Sequence, residues 1–188
     1  FYYKAFSSQD LPGAVAGIRA LGIRGCGVSM PFKEDCIALV DELDVSARAI
    51  ASINTIVNTN GHLKAYNTDY IAVAQLLAGH GVPRESSFAL RGSGGMAKAV
   101  ASALRDGGYA NGVIVARNEV AGRALASSLG YEWQAELGSL RPQMLINVTP
   151  IGMSGGPEAQ QLAFDAEAIK AAQTVFDVVA VPPETPLI

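Results

Sequence analysis

The chain has 188 residues, of which 49% are hydrophobic and 16% are charged, and its formal net charge is −3. This composition is typical of a globular protein with a substantial core and excludes an intrinsically disordered chain. The sequence contains no run of lysine and arginine, and none of its apolar stretches reaches the ~18 residues of a membrane span. We therefore expect neither nucleic acid nor a membrane as a partner.

Cysteine and histidine are scarce. Two cysteines, Cys26 and Cys36, and two histidines make neither a disulfide framework nor a zinc site. We expect reduced thiols, a cytoplasmic protein and no metal. We also expect a longer parent protein, truncated here at both ends, because the chain begins at Phe1 without an initiating methionine and ends at Ile188, where a helix is about to begin.

The first half of the sequence alternates between apolar runs typical of strands and periodic segments typical of helices. The Asn60-Gly61 pair between two apolar runs predicts a β-hairpin. A turn cluster over 81–86 predicts a domain boundary, with domains over 1–80 and 81–188. The predicted elements are a strand over 2–6, a helix over 9–21 capped by Ser8, a strand over 23–29, helices over 32–40 and 46–51, strands over 53–58 and 62–66, and a helix over 69–80.

The same alternation restarts in the second half. Strands that alternate with helices predict parallel pairing with right-handed crossovers. We therefore predict an α/β fold with mostly parallel sheets in two domains. The predicted elements are strands over 87–91, 112–116, 131–134, 144–147 and 174–179, with helices over 94–106 and 120–129.

A glycine-rich turn joins the first strand and helix of the second half. Gly92, Gly94 and Ala97 fit the pattern G-x-G-x-x-A. The first glycine permits a tight turn, the second lets the backbone approach a pyrophosphate, and the small third residue lets the helix pack against the strand. The helix N-terminus then supplies N–H groups to the phosphate. The turn predicts a dinucleotide site, although an ordinary glycine-rich turn would show the same pattern.

The end of the following strand bears on the identity of the dinucleotide. NAD sites place an acid ~20 residues after the glycine turn, where it binds the ribose 2′-hydroxyl. Here the strand ends in Ala116-Arg117-Asn118, and the Arg117 guanidinium is suited to a 2′-phosphate. This favours NADP. NAD stays an alternative because Glu119 lies near enough to compete, and Arg117 could also be a solvated surface arginine.

Four polar residues in the first half are candidates for chemistry. If Ser29 ends a parallel strand, Ser29 and Lys33 lie at a carboxyl edge, where α/β sheets bind ligands. Asp69 begins a helix after a strand, and Asn54 follows a small helix and enters a strand. Lys33 and Asp69 could exchange a proton with a ligand. Each also has a structural alternative: Lys33 could be a solvated lysine, Asp69 a helix N-cap and Asn54 a turn amide.

Six motifs occur in the order found in the shikimate dehydrogenase family, and the resemblance covers essentially the whole chain. The first motif is similar to that of the shikimate dehydrogenase-like branch, where it reads Ser-Met-Pro-Phe-Lys. The motifs are Ser29-Met30-Pro31-Phe32-Lys33, Ile53-Asn54-Thr55, Asn67-Thr68-Asp69, Gly92-Ser93-Gly94-Gly95-Met96-Ala97, Asn147-Val148-Thr149-Pro150-Ile151-Gly152-Met153 and Glu184-Thr185-Pro186-Leu187.

The resemblance implies a substrate domain over 1–80, an NADP-binding Rossmann domain over 81–188 and an active site in the cleft. It implies reversible reduction of 3-dehydroshikimate to shikimate, a step towards aromatic amino acids. Lys33 and Asp69 would be the catalytic pair and would also bind substrate, with Asn54 and Ser29 on the ring hydroxyls. A monomer or homodimer is expected.

The resemblance also implies the residues that hold the cofactor. Two departures from the family pattern bear on them. Ala180 stands where a tyrosine is common, and Ala121 stands where a second arginine is common, with Arg123 nearby. The implied cofactor residues are Gly92, Ser93, Gly94, Gly95, Met96, Ala97, Ala116, Arg117, Asn118, Asn147, Val148, Thr149, Met153 and Val178.

Other functions stay open from the sequence. A related enzyme could oxidise quinate or another cyclic polyol acid, or use NAD. A metabolite-binding module could keep the fold and have little turnover, although it would have small use for a proton-transfer pair. A purely structural domain would leave the glycine turn and the polar sheet edge unexplained.

Overall fold

The computed structural model describes residues 2–29 and 31–188, so Met30 of the first motif lies outside the described residues. The chain forms two compact units, the first ending at Ile71 and the second beginning at Ala72. The division falls inside a helix, whereas the boundary predicted between residues 80 and 81 lies at the end of that helix. The domain limits and the roles assigned to them stay predictions.

The first unit contains one mixed sheet with helical segments beside it. The strand order in this sheet is β1-β3-β4-β2. Its elements are α1 (Leu11–Ala20), β1 (Gly25–Gly27), a 3-10 helix (Asp35–Leu39), β2 (Glu42–Leu43), α2 (Val45–Arg48), β3 (Thr55–Thr59), β4 (His62–Tyr66) and the start of α3 (Thr68–His80).

The α/β fold class is confirmed, but the mostly parallel sheet predicted for the first unit is wrong. Strand β3 pairs antiparallel with both β1 and β4, and β2 pairs parallel with β4. The reason is the predicted hairpin itself. Asn60 and Gly61 both have positive φ, as the two-residue turn requires, and Thr59 pairs with His62. A two-residue turn can join only antiparallel strands.

Three local predictions for the first unit also differ from the structure. The segment 2–6 forms no strand, because a strand needs a hydrogen-bonded neighbour, which apolar residues alone do not supply. Residues 32–40 form a turn and a 3-10 helix rather than an α-helix. Helix α1 is capped by Asp10, which accepts from the Gly13 N–H, while the Ser8 hydroxyl accepts from the Asp10 N–H.

The second unit is a doubly wound domain, as the strand and helix alternation predicts. Its five strands are all parallel, in the order β7-β6-β5-β8-β9. Two elements are present that the sequence pattern did not predict, namely α6 here and β2 in the first unit. The elements are β5 (Phe88–Arg91), α4 (Gly95–Asp106), β6 (Gly112–Val115), α5 (Glu119–Leu129), β7 (Glu132–Gln134), β8 (Met144–Asn147), α6 (Ala166–Ala171) and β9 (Thr174–Asp177).

The strand order of this sheet changes direction beside β5. The chain winds from β5 outward to β6 and β7, and then crosses back to β8 on the other side of β5. Ligands of such sheets bind at the carboxyl ends of the strands beside this change of direction. Leu90, Ile114 and Ile146 are fully buried in the three central strands and hold their ends in place.

Cys36 is buried and Cys26 is partly buried, and both are free thiols. Burial raises the pKa of each thiol.

In the part of the chain that the structure describes, no helix combines the length and apolar character needed to cross a bilayer.

Two helical glycines, Gly122 and Gly17, should respond in opposite ways to replacement by alanine. The first replacement should lower the free energy of unfolding, and the second should raise it. A Cβ at Gly122 of α5 would meet the Trp133 indole and lie 3.0 Å from Ala116 Cβ, so we expect a loss of about 1–3 kcal/mol. A Cβ at Gly17 of α1 meets nothing within 4 Å, so alanine should stabilise by about 0.5–1 kcal/mol. Urea unfolding tests both, by circular dichroism and by fluorescence of Trp133, the single tryptophan. Stabilisation by Gly122→Ala would contradict the packing described here.

Asp41 should make the first unit sensitive to acid. Hydrogen bonds from Arg19 and from the Leu63 N–H lower the pKa of Asp41 from 3.8 to about 2. A lowered pKa contributes stability that is complete above about pH 4 and is lost as the pH falls towards 2. We expect Asp41→Asn to destabilise the unit at about pH 5 and much less at about pH 2, as measured by urea unfolding. The control is Glu167→Gln, an exposed carboxylate in the second unit. An equal loss at both pH values would contradict this role.

Candidate functional site

The four polar candidates of the first unit meet at one edge of its sheet. Gly27 at the end of β1 pairs with Thr55 at the start of β3, and Thr55 pairs with Tyr66 at the end of β4. Ser29 and Lys33 follow β1, Asn54 precedes β3 and Asp69 follows β4, so all four lie beyond the same edge. The expected parallel strand before Ser29 is absent, because β1 runs antiparallel to β3.

Two backbone hydrogen bonds hold the segment after β1 against the segment before β3. The Val28 N–H donates to the Asn54 carbonyl at 2.8 Å, and the Ile53 N–H donates to the Lys33 carbonyl at 2.9 Å. The Asn54 N–H donates to the Tyr66 carbonyl at 3.0 Å, which ties in the end of β4. The backbone positions of Lys33 and Asn54 are therefore fixed by the sheet edge.

Lys33 and Asp69 form a loose ion pair. Lys33 Nζ lies 3.9 Å from Asp69 Oδ2, and the side chains are 32% and 31% exposed. This distance exceeds hydrogen-bond length, so the two groups attract each other without a fixed hydrogen bond between these atoms. Both retain capacity for hydrogen bonds to a ligand that enters between or beside them.

Asp69 is not the N-cap of α3. The cap is Asn67, whose Oδ1 accepts from the Tyr70 N–H at 3.1 Å and whose carbonyl accepts from the Ile71 N–H at 3.3 Å. Asp69 lies in the first turn, where the positive end of the helix dipole stabilises a carboxylate. The structural alternative for Asp69 is thereby excluded, and its carboxylate faces Lys33 instead.

The orientation of the Asn54 amide follows from its neighbours. The Thr68 N–H donates to Asn54 Oδ1 at 2.9 Å, and the Thr68 and Thr55 hydroxyls lie 3.1 and 3.0 Å from the same oxygen. Because a backbone N–H can only donate, the atom facing it must be the amide oxygen. The other end of the amide, Nδ2, is a donor group suited to a ligand hydroxyl.

The glycine turn of the second unit has the geometry that a pyrophosphate site needs. Gly92 has φ +133°, and a Cβ there would lie 2.7 Å from the Val148 side chain. Gly94 is the N-cap of α4 and makes no side-chain cap, and a Cβ on Gly94 or Gly95 would meet nothing within 4 Å. The open first turn therefore fits a phosphate group. Ser93 and Met96 are partly exposed in this turn, whereas Ala97 is buried.

The end of β6 carries an engaged arginine. Arg117 is exposed and forms a two-point ion pair with Glu158, with Nη1–Oε1 at 3.1 Å and Nη2–Oε2 at 3.3 Å. Asn118 caps α5 by accepting from the Ala121 N–H at 3.0 Å. Ala116 is buried, its N–H donates to the Gln134 carbonyl and its carbonyl accepts from Trp133 Nε1 at 3.2 Å, and its contact with a cofactor stays a prediction.

A cavity of about 490 Å³ opens beside Arg117, within the second unit. Its lining includes Arg91 at the end of β5 and the acids Glu136, Glu158 and Asp165. The Arg91 guanidinium lies 5.3 Å from the centre of the Phe164 ring and 3.0 Å from Glu136 Oε2. The cavity thus lies at the carboxyl ends of β5 and β6, and Arg91 in its lining directly precedes the glycine turn.

Asn147, a predicted cofactor residue, is fully buried at the end of β8. Its Nδ2 donates to the Ile151 carbonyl at 3.1 Å and to Asp177 Oδ1 at 3.0 Å, and its Oδ1 accepts from the Thr149 N–H and hydroxyl. All the hydrogen-bond capacity of this side chain is used within the protein, and its assignment as a cofactor residue stays a prediction. Asn147 positions Thr149.

The other predicted cofactor residues of this region are more accessible. Val148 and Thr149 are partly buried after β8, and Met153 is 41% exposed in the loop that follows. Val178 follows β9, and its N–H donates to the Asn147 carbonyl at 3.1 Å. These residues border the carboxyl ends of β8 and β9.

Sequence reasoning missed four residues that organise the sites. The motif that contains Asn67 and Thr68 did not indicate their roles as helix cap and amide support. Asp177 accepts from the Val179 N–H and from the Thr185 hydroxyl at 2.7 Å, and so joins the Asn147 network. An asparagine two residues before the predicted start of a helix could have indicated the cap. No local signal could have found Glu158, which lies 41 positions from Arg117.

Comparisons with known proteins bear on identity. The model of the shikimate dehydrogenase substrate binding domain matches residues 1–56. The shikimate dehydrogenase-like protein of Haemophilus influenzae is 50% identical over 188 residues, which is 100% of this chain and 69% of that protein.

Two solved structures with bound cofactors are also similar. Shikimate 5-dehydrogenase from Thermus thermophilus, in complex with NADP(H) and shikimate, is 28% identical with a TM-score of 0.78, over 94% of this chain and 66% of that one. Quinate dehydrogenase from Corynebacterium glutamicum, in complex with NAD, is 27% identical with a TM-score of 0.82, over 96% and 68%. The chain, which spans about two thirds of the length of these proteins, belongs to the shikimate dehydrogenase family.

Proposed function

We propose that the protein is an NADP-dependent shikimate dehydrogenase that interconverts 3-dehydroshikimate and shikimate. The observation that carries this proposal is the loose Lys33–Asp69 pair at a polar sheet edge, in the same chain as an open glycine turn. A proton-transfer pair and a dinucleotide turn together support a dehydrogenase rather than a structural domain. Among similar structures, the Thermus thermophilus enzyme holds both NADP(H) and shikimate.

Lys33 would move the proton. In the reducing direction its ammonium donates a proton to the ketone oxygen of the substrate as the new alcohol forms, and in the oxidising direction its amine takes that proton back. Asp69, 3.9 Å away, would attract the ammonium group and hold it towards the reacting oxygen. The one-third exposure of both side chains leaves them accessible to substrate.

Ser29 and Asn54 would bind hydroxyls of the ring. Asn54 presents its Nδ2 donor because its Oδ1 is held by the Thr68 N–H. Ser29 is exposed just after β1 and can both donate and accept. A site that hydrogen-bonds each hydroxyl would reject analogues that lack one, because its polar groups would stay unpaired.

The second unit would bind the cofactor. Bound NADPH would supply the hydride that reduces the ketone. The first turn of α4 would hold its pyrophosphate, with Gly94 and Gly95 giving the close approach. Arg117 would meet the 2′-phosphate, and Thr149, Val148, Met153 and Val178 would border the nicotinamide end.

A second candidate is oxidation of quinate with NAD. The quinate dehydrogenase of Corynebacterium glutamicum, which is similar over most of this chain, was solved with NAD. The Arg117 guanidinium is also engaged by Glu158, which weakens the case for a 2′-phosphate.

Initial rates of the full-length protein with shikimate or quinate, each with NADP or NAD, test the proposal. Turnover of shikimate with NADP at a kcat/KM at least tenfold above the other three pairs is the expected result. A preference for quinate or NAD would favour the second candidate. Saturable dinucleotide binding without turnover would favour a metabolite-binding module.

Removal of the Lys33 amine should stop proton transfer without unfolding the protein. Lys33→Met should lower kcat for shikimate oxidation by at least about 10², the lower range for a positioned acid or base. The matched control is Lys64→Met, because the Lys64 side chain is also about one-third exposed (34%) and paired, with Glu42 at 2.9 Å. Turnover of Lys33→Met equal to that of the control would remove Lys33 from the mechanism.

A side chain at Gly94 should block the cofactor but not folding. Gly94 has φ −86°, and a Cβ there meets no atom within 4 Å, so Gly94→Val should fold normally. The valine would occupy the space of a pyrophosphate, and we expect calorimetric binding of NADP to fall by more than about 10²-fold. Gly92→Val should instead misfold, because of its φ of +133° and its contact with Val148. Unchanged NADP affinity in Gly94→Val would place the pyrophosphate elsewhere.

A further inference from the structure

Each arginine near the end of β6 is engaged by a carboxylate. Arg117 pairs with Glu158 at 3.1 Å, and Arg123 pairs with Glu119 at 2.8 Å while stacking over the Trp133 ring at 4.3 Å. A site built for a doubly charged phosphate would present positive charge in excess. At this strand end the two cations are balanced by two anions.

The cavity beside Arg117 carries an excess of negative charge. The charged residues among its lining are two arginines, Arg91 and Arg117, and three acids, Glu136, Glu158 and Asp165, which gives a formal charge of −1. Arg91 is itself paired with Glu136 at 3.0 Å. The surroundings of Arg117 therefore do not add to its attraction for an anion.

Glu158 is the acid that acts on Arg117 directly. Its two carboxylate oxygens occupy both Nη groups of the guanidinium, which is the geometry that a phosphate would use. Its backbone is held in the loop after β8, where its carbonyl accepts from the Gly152 N–H at 3.0 Å and the Gln161 N–H at 3.1 Å. The Glu158 side chain is 24% exposed, against 66% for Arg117. The carboxylate is therefore the more fixed partner of the pair.

A 2′-phosphate would have to displace this carboxylate or lie beside it. Displacement would cost the two-point ion pair, and sharing would place two anions against one cation. A dinucleotide with a free 2′-hydroxyl meets neither penalty, because a hydroxyl can donate a hydrogen bond to a carboxylate.

We propose that Glu158 is a cofactor-specificity residue that lowers the affinity for NADP relative to NAD by occupying Arg117. The inference rests on the proposed function, since it requires a dinucleotide at this strand end. With Glu158 present, the ratio of NADP affinity to NAD affinity is smaller than Arg117 alone would give.

Calorimetric titration of the full-length protein with NADP and, separately, NAD measures this directly, without turnover. Glu158→Gln keeps the shape of the side chain and removes its charge. We expect it to tighten NADP binding about tenfold, equivalent to ~1.4 kcal/mol, and to change NAD binding less than about threefold. Glu119→Gln removes a charge from the same edge without touching Arg117 and should change NADP affinity less than about threefold.

A double-mutant cycle with Arg117→Met separates the pair from general electrostatics. In the Arg117→Met background, Glu158→Gln should alter NADP affinity less than about threefold, because no guanidinium is left to release. An undiminished gain in that background, or an equal gain from Glu119→Gln, would overturn the specific pairing.

Two results distinguish the failure of this inference from the failure of the proposed function. Unchanged or weaker NADP binding by Glu158→Gln, with normal binding by the unmutated protein, would overturn the inference alone. Absence of binding of either dinucleotide to the unmutated protein would overturn the proposed function and the inference with it.

Discussion

The buried amide of Asn67 is the interaction on which the candidate catalytic pair depends. Asn67 is 2% exposed at the end of β4, and its Nδ2 donates to the Ser52 carbonyl while its Oδ1 caps α3. Because Asn67 supplies the cap, the carboxylate of Asp69 is not needed as a hydrogen-bond acceptor for the N–H groups at the helix N-terminus. The same start of α3 places the Thr68 N–H against the Asn54 amide. One side chain thus sets the positions of the Asp69 carboxylate and of the Asn54 amide.

A second buried asparagine has the same role in the second unit. Asn147 ends β8, and its amide joins the Ile151 carbonyl, Asp177 and Thr149 in one network. Asp177 at the end of β9 also accepts from the Thr185 hydroxyl, so residues far apart in the chain are fixed to neighbouring strand ends. A buried polar network of this kind is stable only when each group finds its partner, and it therefore determines a single arrangement of the loops. This network therefore fixes the positions of the loops that would border the nicotinamide.

The fold of the second unit could be predicted from sequence more completely than that of the first. The site residues differ in the same way, because some have a local sequence signal and others depend on contacts between distant parts of the chain. The three central strands of the second unit are largely buried, and their apolar runs and the glycine turn are local signals, so that β8 has its predicted limits. The first sheet depends on pairings between short strands, such as β1 with three residues and β2 with two, which carry almost no periodicity. Its four polar candidates could still be predicted, because a strand end is a local feature, although antiparallel rather than parallel pairing brings them together. Side-chain partners such as Glu158 come from loops whose course depends on the whole fold, and they could not.

The two ion pairs differ in a way that matters for ligands. The Lys33–Asp69 pair has a closest N–O distance of 3.9 Å, so a hydroxyl or a ketone can enter without breaking a hydrogen bond between these atoms. The Arg117–Glu158 pair is closed by two contacts of 3.1 and 3.3 Å, so an anion must compete for the same nitrogens. An ion pair without a direct hydrogen bond can polarise a ligand that enters beside it. An ion pair joined by two hydrogen bonds opposes any ligand that would replace one of its members. The same kind of charge pair is therefore open to a neutral ligand in the first unit and closed to an anion in the second, because the distances differ.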